Sequence, residues 1–512
     1  MKSRFSSLIA VLGGLAVLGP MLQADVALSN IFGDHMVLQR LQTNPLWGTA
    51  DPGEKIVVKI HGQYHTTTAD EAGDWRVMLN PVPTGGPYEM IIEANNTITL
   101  RDILIGEVWL CSGQSNMVRA VDSVYNADVE ILSANYPNIR LISVPNVAAE
   151  EPQDNFDGQW EACSPTTVAS FSAVGYVFGR RLHNTLGVPI GLIDNAWGAS
   201  NAEAWVPRET LEADEAYHPL LAHWDQVAAD YSDEKHEAAL QKFHDWQKAG
   251  KPGRNQRAPR DPRSSQKRPA NLYNGVLHPV LGYGIRGTIW YQGEGNAGRA
   301  YQYRDLFPLM ITTWREQWGL GDFPFYWVQL ADYRAEQPEP GDSDWAELRE
   351  AQTMTLSLPH TGQAVIIDTG EARDIHPRDK QTVAHRLVRH ALAKDYGYDI
   401  AAESPRYATM EQGDGAITLT LDHVSKDGLF AFDVPEVRGF AIAGEDQKFV
   451  WAEAEITGRN QIKVSSPDVP HPVAVRYAWA DNPVANLRDL NGLPVTPFRT
   501  DDWPGVTAGK VK

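Results

Sequence analysis

The sequence predicts an α/β protein in which a parallel sheet with helices on both sides is flanked by two β-rich segments. Between about residues 105 and 402, short apolar runs alternate with stretches of helical periodicity, which is typical of parallel sheets with crossover helices. The helical period is clearest in 380–396, where Val383, Leu387 and Ala391 recur every four residues. Before and after this region, strand-like runs separated by turn residues predict β-domains.

The first β-rich segment, 25–104, is predicted to be an N-terminal β-sandwich domain. Turn signals such as Gly85-Gly86-Pro87 separate its short strand-like runs, which are 36–38, 55–60, 75–79 and 88–92. The same pattern returns after about residue 402. We therefore predict a C-terminal β-rich domain over 403–512.

The central α/β domain is predicted over 105–402. Its strand-like runs are 108–111, 139–144, 188–194, 285–291, 325–330 and 364–368, and its helical stretches are 172–186, 303–318, 345–356 and 380–396. Residues 209–270 look inserted, because a polar helical segment leads into a basic, proline-rich run. We expect the basic, proline-rich run to form a solvated loop, and an active-site rim or lid is the alternative.

The first 24 residues have the layout of a secretory signal peptide. Lys2 and Arg4 precede an apolar stretch, 8–22, and Ala24 is a small residue suited to cleavage. We expect an exported protein, periplasmic or secreted, that has no membrane association after cleavage; a retained N-terminal anchor is the alternative. The net charge of −20 becomes more negative by two on cleavage and argues against nucleic acid as a partner.

No metal or cofactor is expected from the residue pattern. Cys111 and Cys163 are the only cysteines, so the chain is no disulfide scaffold, although one bridge between them remains open. HExxH and CxxC motifs do not occur in the sequence. The sequence does not indicate an oligomeric state.

The most informative segment is 107–117, in which an apolar run stops at the residues Ser-Gly-Gln-Ser-Asn-Met. Gly113 lies two residues before Ser115, so the backbone can turn sharply and leave the Ser115 hydroxyl exposed at the carboxyl end of a strand. Open α/β sheets bind their ligands at that edge. An ordinary strand-to-helix turn is the other interpretation of this segment taken alone.

Three further polar segments follow predicted strands and suit acyl transfer. Gly198 can offer an unshielded backbone N–H to a developing oxyanion, and the Asn296 amide can donate to the same oxygen. His376 can take the Ser115 proton, and Asp374 can orient the imidazole. Pro377 is predicted to be the first residue of the following helix.

The order Ser, Gly, Asn and His resembles that of the SGNH (GDSL-like) hydrolases, and the surrounding residues resemble the sialate O-acetylesterase family. The absence of the second glycine of GxSxG argues against an α/β-hydrolase. The resemblance implies a three-layer α/β/α, flavodoxin-like catalytic domain with a parallel sheet. The matching stretches are GEVWLCSGQSNM (106–117), FSAVGYVFGRRL (171–182), GLIDNAWG (191–198), YNGVLHPV (273–280), GIRGTIWYQGEGNA (284–297), DIHPRDKQ (374–381) and YAWADNPVANL…GLPVTPFRT (477–500).

The family resemblance implies a role for each of these residues. Ser115 is the nucleophile and His376 the base, and the oxyanion donors are the Ser115 N–H, Gly198 and Asn296. Further candidates for substrate binding are Gln114, Asn116, Trp197 and Glu294.

This chain departs from the family pattern at two positions. Ala199 stands where relatives usually have a second glycine, and Arg373 stands where the wider superfamily has the aspartate that orients the histidine. The orienting group is then Asp374, Asp368, Glu371 or a backbone carbonyl, and we favour Asp374.

The expected function is that of an exported carbohydrate O-acetylesterase that acts on sialic acids through an acetyl-enzyme. Sialate specificity requires a cation near the sugar carboxylate, for which Arg119, Arg299 and Arg373 are candidates. The alternatives are acetylated xylan or pectin as substrate, a non-catalytic glycan-binding protein, and a glycosidase that uses Glu294 with Asp374.

Overall fold

The computed structural model describes residues 25–253, 256 and 258–511. The predicted signal peptide, 1–24, lies outside the described residues. No helix in the described part of the chain is long and apolar enough to cross a lipid bilayer.

Short antiparallel strands form the N-terminal part of the chain. In β4 and β6 buried residues alternate with more exposed ones, so one face of each strand packs into the core. The strands are β1 (Ala27–Leu28), β2 (Val37–Gln39), β3 (Asn44–Thr49), β4 (Lys55–Ile60), β5 (Gln63–Thr68), β6 (Asp74–Leu79), β7 (Gly85–Glu93) and β8 (Thr97–Gly113).

Strand β8 joins the N-terminal part to the central sheet. Its first half pairs antiparallel with β7, and its second half lies in the middle of the central sheet. The 17 residues of β8 therefore run through the predicted boundary at 104/105 without a break.

The central sheet has the order β10-β9-β11-β8-β12-β13-β14. All neighbouring strands on this path are parallel except β10 and β9, so the sheet is mixed. The new strands are β9 (Tyr136–Ser143), β10 (Glu161–Cys163), β11 (Ile190–Asp194), β12 (Gly287–Tyr291), β13 (Phe325–Val328) and β14 (Thr361–Ala364). The expectation of a strand over 364–368 is wrong, because β14 ends where that run begins.

Apolar residues cover both faces of this sheet. Val108 and Leu110 of β8 belong to one apolar cluster with residues of α8 and α9, whereas Trp109 and Cys111 belong to a second cluster with residues of α4 and α10. The helices are α1 (Ser115–Val118), α2 (Ala127–Leu132), α3 (Pro165–Val168), α4 (Ala173–Leu186), α5 (Arg208–Glu212), α6 (His218–Ala229), α7 (Asp233–Lys248), α8 (Ala300–Trp318), α9 (Asp344–Met354) and α10 (Lys380–Lys394).

The two cysteines are free thiols. Both are buried, and burial raises the pKa of the Cys163 thiol to about 12 and that of Cys111 well above its ordinary value. The bridge that the sequence left open is therefore not formed.

The C-terminal part is built of short strands around a third apolar cluster. It is tied to the central sheet through α9, since the Arg349 guanidinium donates to the carbonyl oxygens of Ala480 and Asp481. The strands are β15 (Arg406–Gly413), β16 (Ala416–Asp422), β17 (Leu429–Ala431), β18 (Phe440–Ala443), β19 (Val450–Trp451), β20 (Glu453–Gly458), β21 (Gln461–Ser465), β22 (Ala474–Tyr477), β23 (Leu487–Asp489) and β24 (Phe498–Arg499).

Candidate active site

Ser115 lies at the carboxyl edge of the central sheet, directly after β8. Gly113, with φ +135°, packs so closely on β12 that a Cβ there would lie 2.3 Å from the carbonyl oxygen of Tyr291. The Gln114 N–H donates to the same oxygen at 2.9 Å, and α1 begins at Ser115. Only glycine fits at position 113, and the turn that presents Ser115 is consequently fixed by β12.

His376 faces the Ser115 hydroxyl. Its Nε2 lies 2.9 Å from Ser115 Oγ, which is hydrogen-bond distance. The expectation that Pro377 starts the next helix is wrong: α10 begins at Lys380, because Asp379 caps it by accepting the Thr382 N–H at 3.0 Å. His376 therefore lies on the loop between β14 and α10.

Asp374 is the acidic side chain at the other imidazole nitrogen. Its Oδ1 lies 3.3 Å from His376 Nδ1 and accepts the backbone N–H of His376 at 2.9 Å. The other two carboxylates considered from the sequence have other partners, since Glu371 pairs with Arg378 and Asp368 pairs with arginines 386 and 488.

Burial lowers the pKa of His376, and the charge of Asp374 opposes this shift. The positive charges of Arg119 and Lys380 lower the pKa of His376 further. The imidazole is thereby kept neutral near neutral pH, which is the state that accepts a proton.

Gly198 packs against the nucleophile. A Cβ on Gly198 would lie 3.4 Å from Ser115 Cβ, so any side chain at position 198 would contact the nucleophile. The next residue, Ala199, has φ +59° and an exposed side chain. Alanine therefore adopts a left-handed conformation there that glycine would adopt without strain.

Asn296 is held in a buried network behind the site. Its Oδ1 accepts from the Ala202 N–H at 2.9 Å and from Gln292 Nε2 at 2.7 Å, and its Nδ2 donates to Glu203 Oε2 at 2.9 Å. Glu203 is itself fully buried and paired with Arg299. An amide nitrogen carries two protons, so these bonds leave one N–H of Asn296 for another acceptor.

The candidate substrate-binding residues lie around the same turn. Gln114 Oε1 accepts the Gly295 N–H at 3.3 Å, which joins the Ser115 turn to the Asn296 segment. Asn116 is buried and donates to Glu294 Oε1, whereas Trp197 is partly exposed. Burial raises the pKa of Glu294.

The three candidate cations have different surroundings. Arg299 is paired with Glu203 in the buried network, and Arg373 is exposed. Arg119 is partly buried on the turn after Ser115, where its backbone N–H donates to the Ser115 carbonyl oxygen. No described residue accepts a hydrogen bond from its buried Nε.

The sequence interpretation missed two residues of this site, Glu203 and Lys380. Glu203 follows the Gly198 segment, but nothing in its neighbours distinguishes a buried carboxylate from a surface one. Lys380 is fully buried at the start of α10, where a lysine ordinarily indicates a solvated face. Among the described residues, no three His, Cys, Asp or Glu side chains are grouped as a metal site requires.

Comparison with known proteins places this chain among carbohydrate esterases. Residues 264–396 match the family model described as carbohydrate esterase, sialic acid-specific acetylesterase. The chain is 30% identical to the sialate O-acetylesterase of Mus musculus over 91% of this chain and 92% of that protein, and 31% identical to that of Pongo abelii over 94% and 95%. A solved carbohydrate acetylesterase from Xanthomonas citri is 36% identical, with a TM-score of 0.80 over 94% of this chain and 100% of that chain.

Proposed function

The chain belongs to the sialate O-acetylesterase family, and from this premise we propose that it removes O-acetyl groups from sialic acids with Ser115 as nucleophile. It is a carbohydrate O-acetylesterase, and hence a carboxylic ester hydrolase. The observation that carries the mechanism is the 2.9 Å distance between Ser115 Oγ and His376 Nε2.

In the acylation step, His376 Nε2 takes the Ser115 hydroxyl proton while Oγ attacks the acetyl carbonyl carbon. The oxyanion accepts hydrogen bonds from the Ser115 N–H, the Gly198 N–H and the free Nδ2 proton of Asn296. As the tetrahedral intermediate collapses, the protonated imidazole gives its proton to the departing sugar oxygen. The products are the deacetylated sugar and an acetyl ester on Ser115.

In the deacylation step, His376 takes a proton from a water molecule that attacks the same carbonyl carbon. The oxyanion forms in the same place, and its collapse returns the proton to Ser115 Oγ and releases acetate. Asp374 holds the imidazole so that Nδ1 carries its proton and Nε2 is free to accept.

The fold and location are proposed to follow the family pattern. The catalytic domain is a three-layer, SGNH-type unit over 105–402 with an insert at 209–270, and the flanking β-domains are 25–104 and 403–512. Helices on both faces of the sheet support this arrangement. The charged start and apolar stretch of 1–24 support export to the periplasm or the medium.

Arg119 supports a sialic acid rather than an uncharged sugar as the substrate. It lies one helical turn after Ser115, and its buried Nε has no described hydrogen-bond acceptor. Arginine recognises carboxylates through paired N–H donors. We therefore assign Arg119 to the sugar carboxylate.

The chemistry is tested by comparing the wild type with Ser115→Ala on p-nitrophenyl acetate and on acetylated sialic acid. We expect Ser115→Ala to lower kcat by about 10⁴-fold or more, as for other serine hydrolases that lose the nucleophile. Ser133→Ala, which changes an exposed serine directly after α2, is the control and should keep wild-type turnover. Equal turnover by wild type and Ser115→Ala would refute the proposal.

The substrate is tested with Arg119→Gln, using exposed Arg373→Gln as the matched control. Loss of a charged hydrogen bond of about 1.5–3 kcal/mol should lower kcat/KM for acetylated sialic acid, relative to that for p-nitrophenyl acetate, by about ten- to a hundredfold. An unchanged ratio would remove Arg119 from carboxylate recognition. Acetate release from acetylated xylan or pectin but not from sialic acid would refute the substrate assignment and leave the esterase mechanism standing.

A further inference from the structure

Lys380 is a buried ammonium next to the site whose role the mechanism above does not explain. It is the first residue of α10, is fully buried, and its Nζ lies 2.7 Å from Asn116 Oδ1 and 5.0 Å from the centre of the Tyr291 ring. Burying a charge is unfavourable unless it is well paired, and the positive end of a helix dipole adds to the penalty. A lysine at this position therefore requires a compensating role.

Asn116, the partner of Lys380, connects three of the segments that form the site. It follows Ser115 in sequence, and its Nδ2 donates to the carbonyl oxygen of Ile375 at 3.0 Å and to Glu294 Oε1 at 2.5 Å. Ile375 immediately precedes His376. The Asn116 side chain thus ties the nucleophile turn to the base loop and to the segment that carries the oxyanion donor.

Lys380 fixes the direction in which the Asn116 amide points. An ammonium group only donates hydrogen bonds, so it must face the amide oxygen. The carbonyl oxygen of Ile375 and the carboxylate of Glu294 only accept, so they must face the amide nitrogen. All three partners therefore require the same orientation of the amide, and Lys380 is the described partner of its oxygen.

Lys380 also balances the charge of Glu294. No described residue donates to the buried Glu294 Oε2, and the burial that raises the pKa of this carboxyl is opposed by the Asn116 hydrogen bond and by the charge of Lys380. Burial lowers the pKa of Lys380 to about 7; Glu294, Asp374 and Asp379 oppose this shift, and Arg119 adds to it. The Glu294 carboxyl and the Lys380 amine are thus joined through the Asn116 amide.

We propose that Lys380 is a positioning residue of the esterase, which acts through Asn116 to hold the Ser115 turn and the His376 loop in register. The inference rests on the proposed function for the roles of Ser115 and His376. Lys380 touches neither the substrate nor the reacting atoms in this proposal. Its loss should therefore lower kcat and leave KM nearly unchanged.

The test uses the full-length protein with Lys380→Met, Asn116→Ala and the double variant on p-nitrophenyl acetate. We expect each single variant to lower kcat by ten- to a hundredfold with KM within about twofold. The kcat of the double variant should be no lower than that of the less active single variant. Lys394→Met, which changes the lysine at the other end of α10, is the matched control and should keep wild-type kcat. In Lys380→Met the acid limb of the kcat/KM profile should move to higher pH, since a charge that lowers the His376 pKa is removed.

The inference is overturned if kcat of Lys380→Met stays within twofold of wild type, or if the losses of the two single variants multiply in the double variant. If Lys380→Met does not fold, Asn116→Ala decides alone, and an unchanged kcat there overturns the inference. Failure of the proposed function is recognised separately, because Ser115→Ala would then retain activity. An inactive Ser115→Ala beside a normal Lys380→Met refutes only the role of Lys380.

Discussion

The two sides of Ser115 are built differently. On the side of the proposed oxyanion donors, hereafter the oxyanion side, Asn296 is 1% exposed and makes three hydrogen bonds to buried groups. On the other side, hereafter the base side, the side chains of His376 and Asp374 are 31% and 47% exposed. Asp374 Oδ1 lies 3.3 Å from His376 Nδ1. One side of the site is thus buried and closely hydrogen-bonded, whereas the other is partly exposed to solvent.

The chemistry of the two sides explains this difference. An oxyanion donor is effective when it is already oriented before the charge develops, so it gains from a fixed, low-dielectric environment. The Glu203 and Arg299 charges neutralise each other behind Asn296 and bring no net charge to the developing oxyanion. The proposed base, in contrast, would pass protons to a departing sugar and take them from water, which requires access.

The largest effect among the variants that separate the two sides is expected for Asn296→Ala. One oxyanion donor is worth about 2.7–4 kcal/mol, so kcat should fall by about a hundred- to a thousandfold. The change also removes the donor to Glu203 Oε2, which should lower the free energy of unfolding by about 1–3 kcal/mol. Steady-state kinetics and urea unfolding measure the two effects.

Asn135→Ala, at an exposed asparagine, is the control and should change neither quantity. A normal kcat in Asn296→Ala would remove this residue from the oxyanion site. A loss of kcat without any loss of stability would contradict the description of the oxyanion side as a coupled buried network.

Local sequence signals were sufficient for the elements that carry this site. Apolar runs followed by small polar residues indicated β8, β11 and β12, because a buried strand and a sharp turn each need particular residue types in a short window. The strand predicted before His376 is wrong, because β14 ends at Ala364, but His376 lies at hydrogen-bond distance from Ser115 as predicted.

Long-range packing decided what the sequence left open. Arg299 is engaged by Glu203, a residue 96 positions away in the chain, and no neighbour of Arg299 in sequence indicates this pairing. Lys380 has the sequence context of a solvated helix end, and only the approach of Asn116 from 264 residues away gives it a buried partner. The burial and the partners of charged side chains are predicted poorly from sequence, because these partners lie far away along the chain.

On the open side of the site, Asp374→Asn should have the smaller effect. The carboxylate is half exposed and 3.3 Å from Nδ1, so its attraction for the imidazole is screened and is worth about 1 kcal/mol. We expect kcat to fall by about five- to tenfold and the free energy of unfolding to stay unchanged. The asparagine Oδ1 can still accept the His376 backbone N–H, which preserves the loop.

The pH dependence of Asp374→Asn sharpens the comparison further. Activity requires neutral His376 and is lost as the pH falls through the lowered pKa of this residue. Asp374 opposes that lowering, so its removal should move the acid limb of kcat/KM to lower pH, opposite to the shift expected for Lys380→Met. A loss near 10⁴-fold, as when a buried triad aspartate is neutralised, would show that the base side is as preorganised as the oxyanion side and would break the contrast. A limb that moves to higher pH would mean that Asp374 does not stabilise the imidazolium, because the loss of a stabilising negative charge would lower the pKa of His376.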